Sequence, residues 1–68
     1  MEREKVKELI KGYKENGFPY VDIELKDERF FQISFKVDNY KFGSQFLKIR
    51  NKDLLIYIRY SSIKTIAI

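Results

Sequence analysis

The chain of 68 residues contains no cysteine and no histidine. Without cysteine it forms no disulfides, and without either residue it lacks the thiolate and imidazole ligands that bind most structural metals. The same two absences exclude nucleophilic catalysis by a Ser-His or Cys-His pair. Because a domain of this size is marginally stable on its own core, oligomerisation is the stabilising device that remains.

The chain also has no long apolar run. Its apolar stretches are much shorter than the roughly 20 residues that a transmembrane helix needs. The N-terminal stretch MEREKVKELIKG is charged from its second residue, unlike a signal peptide. We therefore predict a cytoplasmic protein with no membrane partner and no cofactor. Fourteen Lys and Arg against ten Asp and Glu give a net charge of +4, which suits a polyanionic partner and is also common in ordinary soluble domains.

The first part of the chain has the apolar spacing of an amphipathic helix. Four apolar residues fall at i, i+3, i+4 and i+7, namely Val6, Leu9, Ile10 and Tyr13. This pattern predicts a helix from about Glu2 to Glu15. Asn16 and Gly17 tolerate the positive φ of a helix end, and Pro19 prevents the helix from continuing.

From Tyr20 onward the apolar period changes from 3.6 to 2, which is typical of half-buried strands. The predicted strands are Tyr20–Lys26, Phe31–Val37, Gln45–Arg50, Leu54–Tyr60 and Ile63–Ala67. Residues 40–44 are predicted to form a loop or a distorted strand, with Gly43 at positive φ. Turn signals recur about every 8 to 12 residues, the spacing of a small all-β barrel or sandwich. The sequence thus predicts a single domain over residues 1–68, mainly β with one N-terminal helix, as a five-stranded, strongly bent antiparallel barrel.

The most apolar part of the chain is Leu54–Ile68, which reads LLIYIRYSSIKTIAI and carries charge only at Arg59 and Lys64. Exposed strand edges of this composition pair readily with another chain. A chain of this length cannot cover both faces and both edges of the segment. We therefore predict a closed cyclic oligomer that uses these strand edges.

Several stretches together resemble the Sm protein family. Residues Ile58–Ile63, IRYSSI, resemble the second Sm motif, Ile-Arg-Gly-x-x-Ile/Val, and Val21–Asp27 with Phe31–Tyr40 resemble the first. The order of a helix, Phe18–Tyr20, a strand and an Asp-x-aromatic sequence at Asp38 is similar to the bacterial Hfq branch. This resemblance covers nearly the whole chain.

The resemblance implies an Sm-like barrel in a homomeric ring of six or seven subunits, closed by pairing of the fourth strand with the fifth strand of the neighbour. It implies single-stranded RNA as the partner and a non-catalytic role, such as that of an RNA chaperone. The candidate RNA-binding residues are Asp38, Tyr40, Lys41, Lys48, Arg50, Arg59, Tyr60 and Ser61.

Other positions depart from the Sm pattern. Glu28 and Ile33 stand where glycines are usual, Lys41 and Phe42 replace the Sm asparagine, and Tyr60 replaces the glycine of the second motif. These departures favour an alternative function, in which a Tudor-like or other small β-barrel is a protein-interaction or structural module without nucleic-acid binding.

The chemistry of the candidate residues supports RNA contact but leaves alternatives. Arg59 can stack on a base or fork to a phosphate, or it can be a solvent-facing or ion-paired strand arginine. Tyr40 can stack on a base, worth about 1–3 kcal/mol, or simply cap a strand, as Phe42 can plug a barrel end. Asp38 can hold Arg59 or stabilise a turn.

Two charged groups complete the candidates. Lys48, Arg50 and Lys52, at every second position, form a basic stripe suited to phosphates, or an ordinary solvated strand face. A group of acidic residues suggests a hard-cation site, a general acid–base pair or the solvated face of one strand, and we favour the last interpretation. These acidic residues are Asp22, Glu24, Asp27 and Glu28. No catalytic or metal-binding residue is predicted.

Overall fold

The computed structural model describes residues 1–68 and consists of one helix followed by six strands. The elements are α1 (Arg3–Glu15), β1 (Tyr20–Leu25), β2 (Phe30–Ser34), β3 (Asn39–Phe42), β4 (Phe46–Arg50), β5 (Leu55–Arg59) and β6 (Ile63–Ala67), with a 3-10 turn at Tyr60–Ser62 between the last two strands. The predicted mainly β chain with one N-terminal helix is confirmed. No helix is long and apolar enough to span a bilayer.

Helix α1 ends where the sequence predicts. The backbone N–H of Phe18 donates to the carbonyl of Tyr13 and that of Gly17 donates to Lys14, both at 3.1 Å, while Gly17 has a φ of 83°. These are the two hydrogen bonds of a Schellman motif, and the Phe18 and Tyr13 rings pack edge to face at 5.6 Å. The apolar stripe of the helix therefore enters the core, with Val6 and Ile10 fully buried.

The six strands form two antiparallel sheets of three strands each. One sheet has the order β2-β1-β6 and the other has the order β3-β4-β5. Their inward residues share one core of twelve buried apolar side chains, to which the helix contributes two. No strand pairing joins the two sheets, so the structure shows two sheets around a common core rather than a closed barrel.

The prediction of five strands was wrong because the second predicted strand stops early and a further strand follows it. The carboxylate of Asp38 accepts a hydrogen bond from the Ser34 N–H at 2.8 Å, and the Ser34 carbonyl accepts from the Asp38 N–H at 2.9 Å. These bonds close a turn over residues 35–37, which leaves Val37 70% exposed instead of in a strand. Most of the regular strand β3, which pairs with β4, lies in the stretch predicted as a loop or distorted strand.

Gly43 does not adopt the predicted positive φ, which occurs instead at Gly17 and at Glu28 (φ 72°). Position 43 requires glycine because its backbone lies very close to the backbone of Phe46. A Cβ built there would lie 2.9 Å from the carbonyl oxygen of Phe46, and the Gly43 N–H donates to that same oxygen at 2.9 Å. The β3–β4 connection is therefore tight, and it places the outward residues of the two strands side by side.

Candidate nucleic-acid interface

The outward side of the β3-β4-β5 sheet collects most of the cationic candidates. Because side chains alternate along a strand, directly paired residues point to the same face. The register pairs Lys41 with Lys48 and Lys48 with Tyr57, and it pairs Phe46 with Arg59. The outward residues, called here the cationic face, are Asn39, Lys41, Phe46, Lys48, Arg50, Leu55, Tyr57 and Arg59.

Cations and aromatic rings alternate across this face. The Arg59 guanidinium lies 5.2 Å from the centre of the Phe46 ring, and the Lys48 ammonium lies 5.9 Å from the centre of the Tyr57 ring. The two rings pack edge to face at 6.1 Å, and Tyr57 remains 57% exposed. Exposed rings flanked by cations are the elements with which proteins stack bases and bind a sugar-phosphate backbone.

None of the four cations on the cationic face has a counter-ion. The three ion pairs of the molecule are Arg3–Glu4, Arg29–Asp27 and Lys64–Glu24, and all lie elsewhere. No carboxylate belongs to the cationic face, and Lys41 and Lys48 stand directly opposite each other in the ladder. Like charges in this arrangement repel, so the face carries a positive potential that favours an anionic ligand.

Two clefts flank the Lys41–Lys48 pair. The β3–β4 cleft, about 320 Å³ in volume, is lined by Asn39, Tyr40, Lys41, Lys48 and Arg50. The second, called here the Tyr57 cleft, measures about 230 Å³ and is lined by Lys41, Gly43, Ser44, Gln45, Phe46, Lys48 and Tyr57. The lysine pair therefore forms the ridge between a cationic cleft and an aromatic one.

The structure brings together four of the predicted RNA-binding residues, Lys41, Lys48, Arg50 and Arg59. Tyr40 points to the opposite side of β3, where its ring packs edge to face on Phe35 at 6.1 Å and on Phe42 at 5.7 Å. Its ring still borders the β3–β4 cleft. Tyr40 is therefore mainly a packing residue.

Three other predicted residues lie away from the cationic face. Tyr60 is only 6% exposed, its hydroxyl donates to the Gly43 carbonyl at 2.8 Å, and burial raises the pKa of that hydroxyl. Ser61 belongs to the 3-10 turn between β5 and β6. The carboxylate of Asp38 binds the Ser34 N–H, so it stabilises a turn instead of holding Arg59.

The predicted basic stripe ends at Arg50, where β4 ends. Lys52 lies in the following turn, which Asn51 stabilises by accepting hydrogen bonds from the N–H groups of Leu54 at 3.0 Å and Asp53 at 3.3 Å. The stripe on β4 therefore consists of Lys48 and Arg50 alone.

Phe46 and Tyr57 were not predicted as site residues, although they supply the aromatic part of the cationic face. The sequence signal for them is the period of two. Tyr57 alternates with the inward residues Ile56 and Ile58, and Phe46 stands two residues before Lys48. Only the cross-strand register shows that these rings share a face with Arg59.

Of the four acidic residues predicted to share one strand face, Asp22 and Glu24 lie half-exposed on the outward side of β1, whereas Asp27 and Glu28 follow the end of that strand and are exposed. Asp22 accepts a hydrogen bond from the Gln32 amide at 3.2 Å, and Glu24 accepts one from the Thr65 hydroxyl at 3.1 Å. The pKa of Asp27 is lowered, first by the hydrogen bond from the backbone N–H of Arg29. No group of three or more acidic side chains is arranged to hold a metal ion.

Comparison of the chain with protein-family models, with curated proteins and with solved structures returns no match.

Proposed function

We propose that the protein binds single-stranded RNA through its cationic face, without catalysis. The observation that carries this proposal is the set of four unpaired cations beside the exposed ring of Tyr57 and the half-buried ring of Phe46. The cations attract phosphates, and the rings offer flat apolar surfaces on which bases stack. A duplex hides its base faces, so the rings favour a single strand.

We further propose that the two sheets are the halves of an Sm-like barrel that assembles into a homomeric ring of six subunits. Strands β5 and β6 each lie at an edge of their sheet, which leaves one side of each without a pairing partner. Pairing of β5 with β6 of a neighbouring copy would give the free edge of each strand a hydrogen-bonded partner.

Ring assembly would also explain how a small face binds RNA. Each copy offers one set of cations and rings, and a strand bound to one copy reaches the next at high effective concentration. Modest affinity per subunit then gives tight binding to a strand that spans several subunits.

The test is fluorescence anisotropy with a single-stranded RNA and a duplex of the same length. Wild type should prefer the single strand, and Tyr57→Ala should weaken that binding by about five- to a hundredfold, the loss of one stacked base. The slope of log affinity against log salt should change little, because stacking releases few counter-ions.

Tyr20→Ala is the matched control, since Tyr20 is an exposed tyrosine on the other sheet. It should leave RNA affinity unchanged. Absence of RNA binding by the wild type, or equal losses in the two variants, would contradict the proposal. The alternative of a protein-interaction module would then be the better explanation of the fold.

A further inference from the structure

The β3–β4 cleft has more positive charge than one phosphodiester needs. Lys41 and Lys48 face each other directly, and Arg50 is the next outward residue of β4. Cβ atoms of such pairs lie about 4.5–5.5 Å apart when directly opposite and about 7–8 Å apart on the diagonal. Three long cationic side chains can therefore converge on one anion within a single cleft.

The charges and oxygens of a phosphomonoester match this cleft better than those of a phosphodiester. An internal phosphodiester carries one negative charge and two non-bridging oxygens. A terminal phosphomonoester carries about −1.5 to −2 at pH 7 and presents three terminal oxygens. Two ammonium groups and one guanidinium fork can each contact one of these oxygens.

The other polar groups near the cleft leave the three cations free. Asn39 stands opposite Arg50 and contributes an uncharged amide. Asp38, the nearest carboxylate in the chain before β3, is bound to the Ser34 N–H. Lys14 of the helix lies over the Tyr40 ring at 5.8 Å and adds further positive charge behind that wall of the cleft.

We infer that the β3–β4 cleft binds the terminal phosphomonoester of an RNA strand. This inference rests on the proposed function, because the adjoining nucleotide then lies over the Lys41–Lys48 ridge with its base in the Tyr57 cleft. Lys48 links the two clefts, since its ammonium already lies over the Tyr57 ring. The protein thus binds a strand at a phosphorylated end and not only along its length.

The test compares oligo(U) strands of about ten nucleotides that carry a 5′-phosphate, a 3′-phosphate or hydroxyl groups at both ends. A phosphorylated end should raise affinity about tenfold at low salt, because each added charge faces three cations. The stronger of the two phosphorylated strands identifies the end that binds. Uridine monophosphate is the probe for a free phosphomonoester and should bind far more weakly than either phosphorylated strand.

The pH dependence gives an independent readout. The second pKa of a phosphomonoester is about 6, so the advantage of the phosphorylated strand should shrink as pH falls from about 7.5 to 5.5. The chain has no histidine, and the charged groups around the cleft are lysines, Arg50 and the carboxylates Asp38 and Asp53. Histidine is the side chain whose ordinary pKa lies in that range, and its absence from the chain assigns the change to the ligand.

Two arginine substitutions, each of which removes one positive charge, distinguish binding in the β3–β4 cleft from binding to the rest of the cationic face. Arg50→Ala should remove most of the preference for the phosphorylated end, whereas Arg59→Ala should weaken both strands and leave their ratio unchanged. Equal binding of phosphorylated and hydroxyl strands by the wild type would overturn the inference and leave the proposed function intact. Uridine monophosphate binding as tightly as phosphorylated RNA would also overturn it, and absence of all RNA binding would overturn both proposals.

Discussion

At the scale of single residues, the pairing of Lys41 with Lys48 reduces stability and favours an anionic ligand. Like charges directly opposite in a ladder destabilise a sheet, and neither ammonium has a carboxylate partner. Lys41→Gln should therefore raise the free energy of unfolding in urea by about 0.2–1 kcal/mol at low salt. The same variant should bind RNA more weakly.

The salt dependence is the control for that prediction. Added salt screens repulsion between exposed charges, so the stability difference between Lys41→Gln and wild type should narrow at about 1 M salt. If Lys41→Gln is less stable than wild type at low salt, repulsion between Lys41 and Lys48 does not reduce the stability of the fold.

The Tyr60 side chain stabilises the loop at Gly43, which borders the cationic face. Its hydroxyl donates to the Gly43 carbonyl at 2.8 Å, and the same oxygen accepts a hydrogen bond from the Arg3 Nε at 2.9 Å. Tyr60→Phe removes one of these bonds and should lower the free energy of unfolding by about 0.5–1.5 kcal/mol in denaturant melts. Tyr57→Phe, which changes an exposed tyrosine in the same way, should have little effect.

Because the pKa of Tyr60 is raised, Tyr60→Phe should also change how the free energy of unfolding depends on pH. Burial disfavours the tyrosinate, so the folded protein retains the proton above pH 10, where the unfolded chain loses it. Stability from this group is thus fully present below about pH 10 and is lost as pH rises through the folded-state pKa. Tyr60→Phe should lose less stability than wild type between about pH 9.5 and 11. Identical alkaline losses would contradict this account.

At the scale of secondary-structure elements, the helix is attached to the sheets through its buried stripe. Ile10 is fully buried, so Ile10→Ala should destabilise the protein by about 2–5 kcal/mol. Leu9 is only half-buried and should cost less when truncated. Glu8→Ala, on the exposed side, should stay within about 0.5 kcal/mol of wild type. Equal effects of Ile10→Ala and Glu8→Ala in urea melts would show that the helix does not contribute to the core.

The elements that local patterns determine were predictable from the sequence. The apolar spacing around Val6 and Ile10 locates α1, Gly17 locates its end, and alternation locates β1. The early end of β2 at Ser34 was not predictable in this way, because Phe35 and Val37 continue the alternation of β2 through the turn. A hydrogen bond from the Ser34 N–H to the Asp38 carboxylate overrides that pattern.

For a similar reason the sequence located the cations of the candidate site but not its aromatic rings. Lys41, Lys48, Arg50 and Arg59 are recognisable because charged residues are unusual within apolar strands. Which aromatic residues accompany them depends on register, and register between strands is set by the whole sheet. Tyr40 and Tyr60 therefore face inward, while Phe46 and Tyr57 complete the cationic face.

At the scale of the whole molecule, charge is divided between the two sheets. The β3-β4-β5 sheet carries four unpaired cations, whereas the carboxylates of Asp22 and Glu24 lie on the outward side of β1 in the other sheet. A ring built from identical subunits would repeat this division around its axis. All copies would then present their cationic faces equivalently to one RNA strand.

The last prediction concerns assembly of that ring. The Tyr60 N–H donates to the Gln45 carbonyl, and the register places Arg59 opposite Phe46. Because antiparallel pairs alternate between bonded and non-bonded, the Arg59 N–H points away from β4 toward the free edge of β5. Arg59 has a φ of −66°, which proline can adopt. Arg59→Pro should therefore keep the subunit folded while removing a donor that the neighbouring β6 would use.

Light scattering at micromolar concentration distinguishes the outcomes. Wild type should have a mass close to six times the 8.3 kDa of one chain, and Arg59→Ala should assemble in the same way because its backbone donor is intact. Arg59→Pro should shift the population toward monomers whose far-ultraviolet circular dichroism matches wild type. A wild type that is monomeric at this concentration, or an Arg59→Pro variant that still forms the full ring, would show that the edge of β5 is not the contact between subunits.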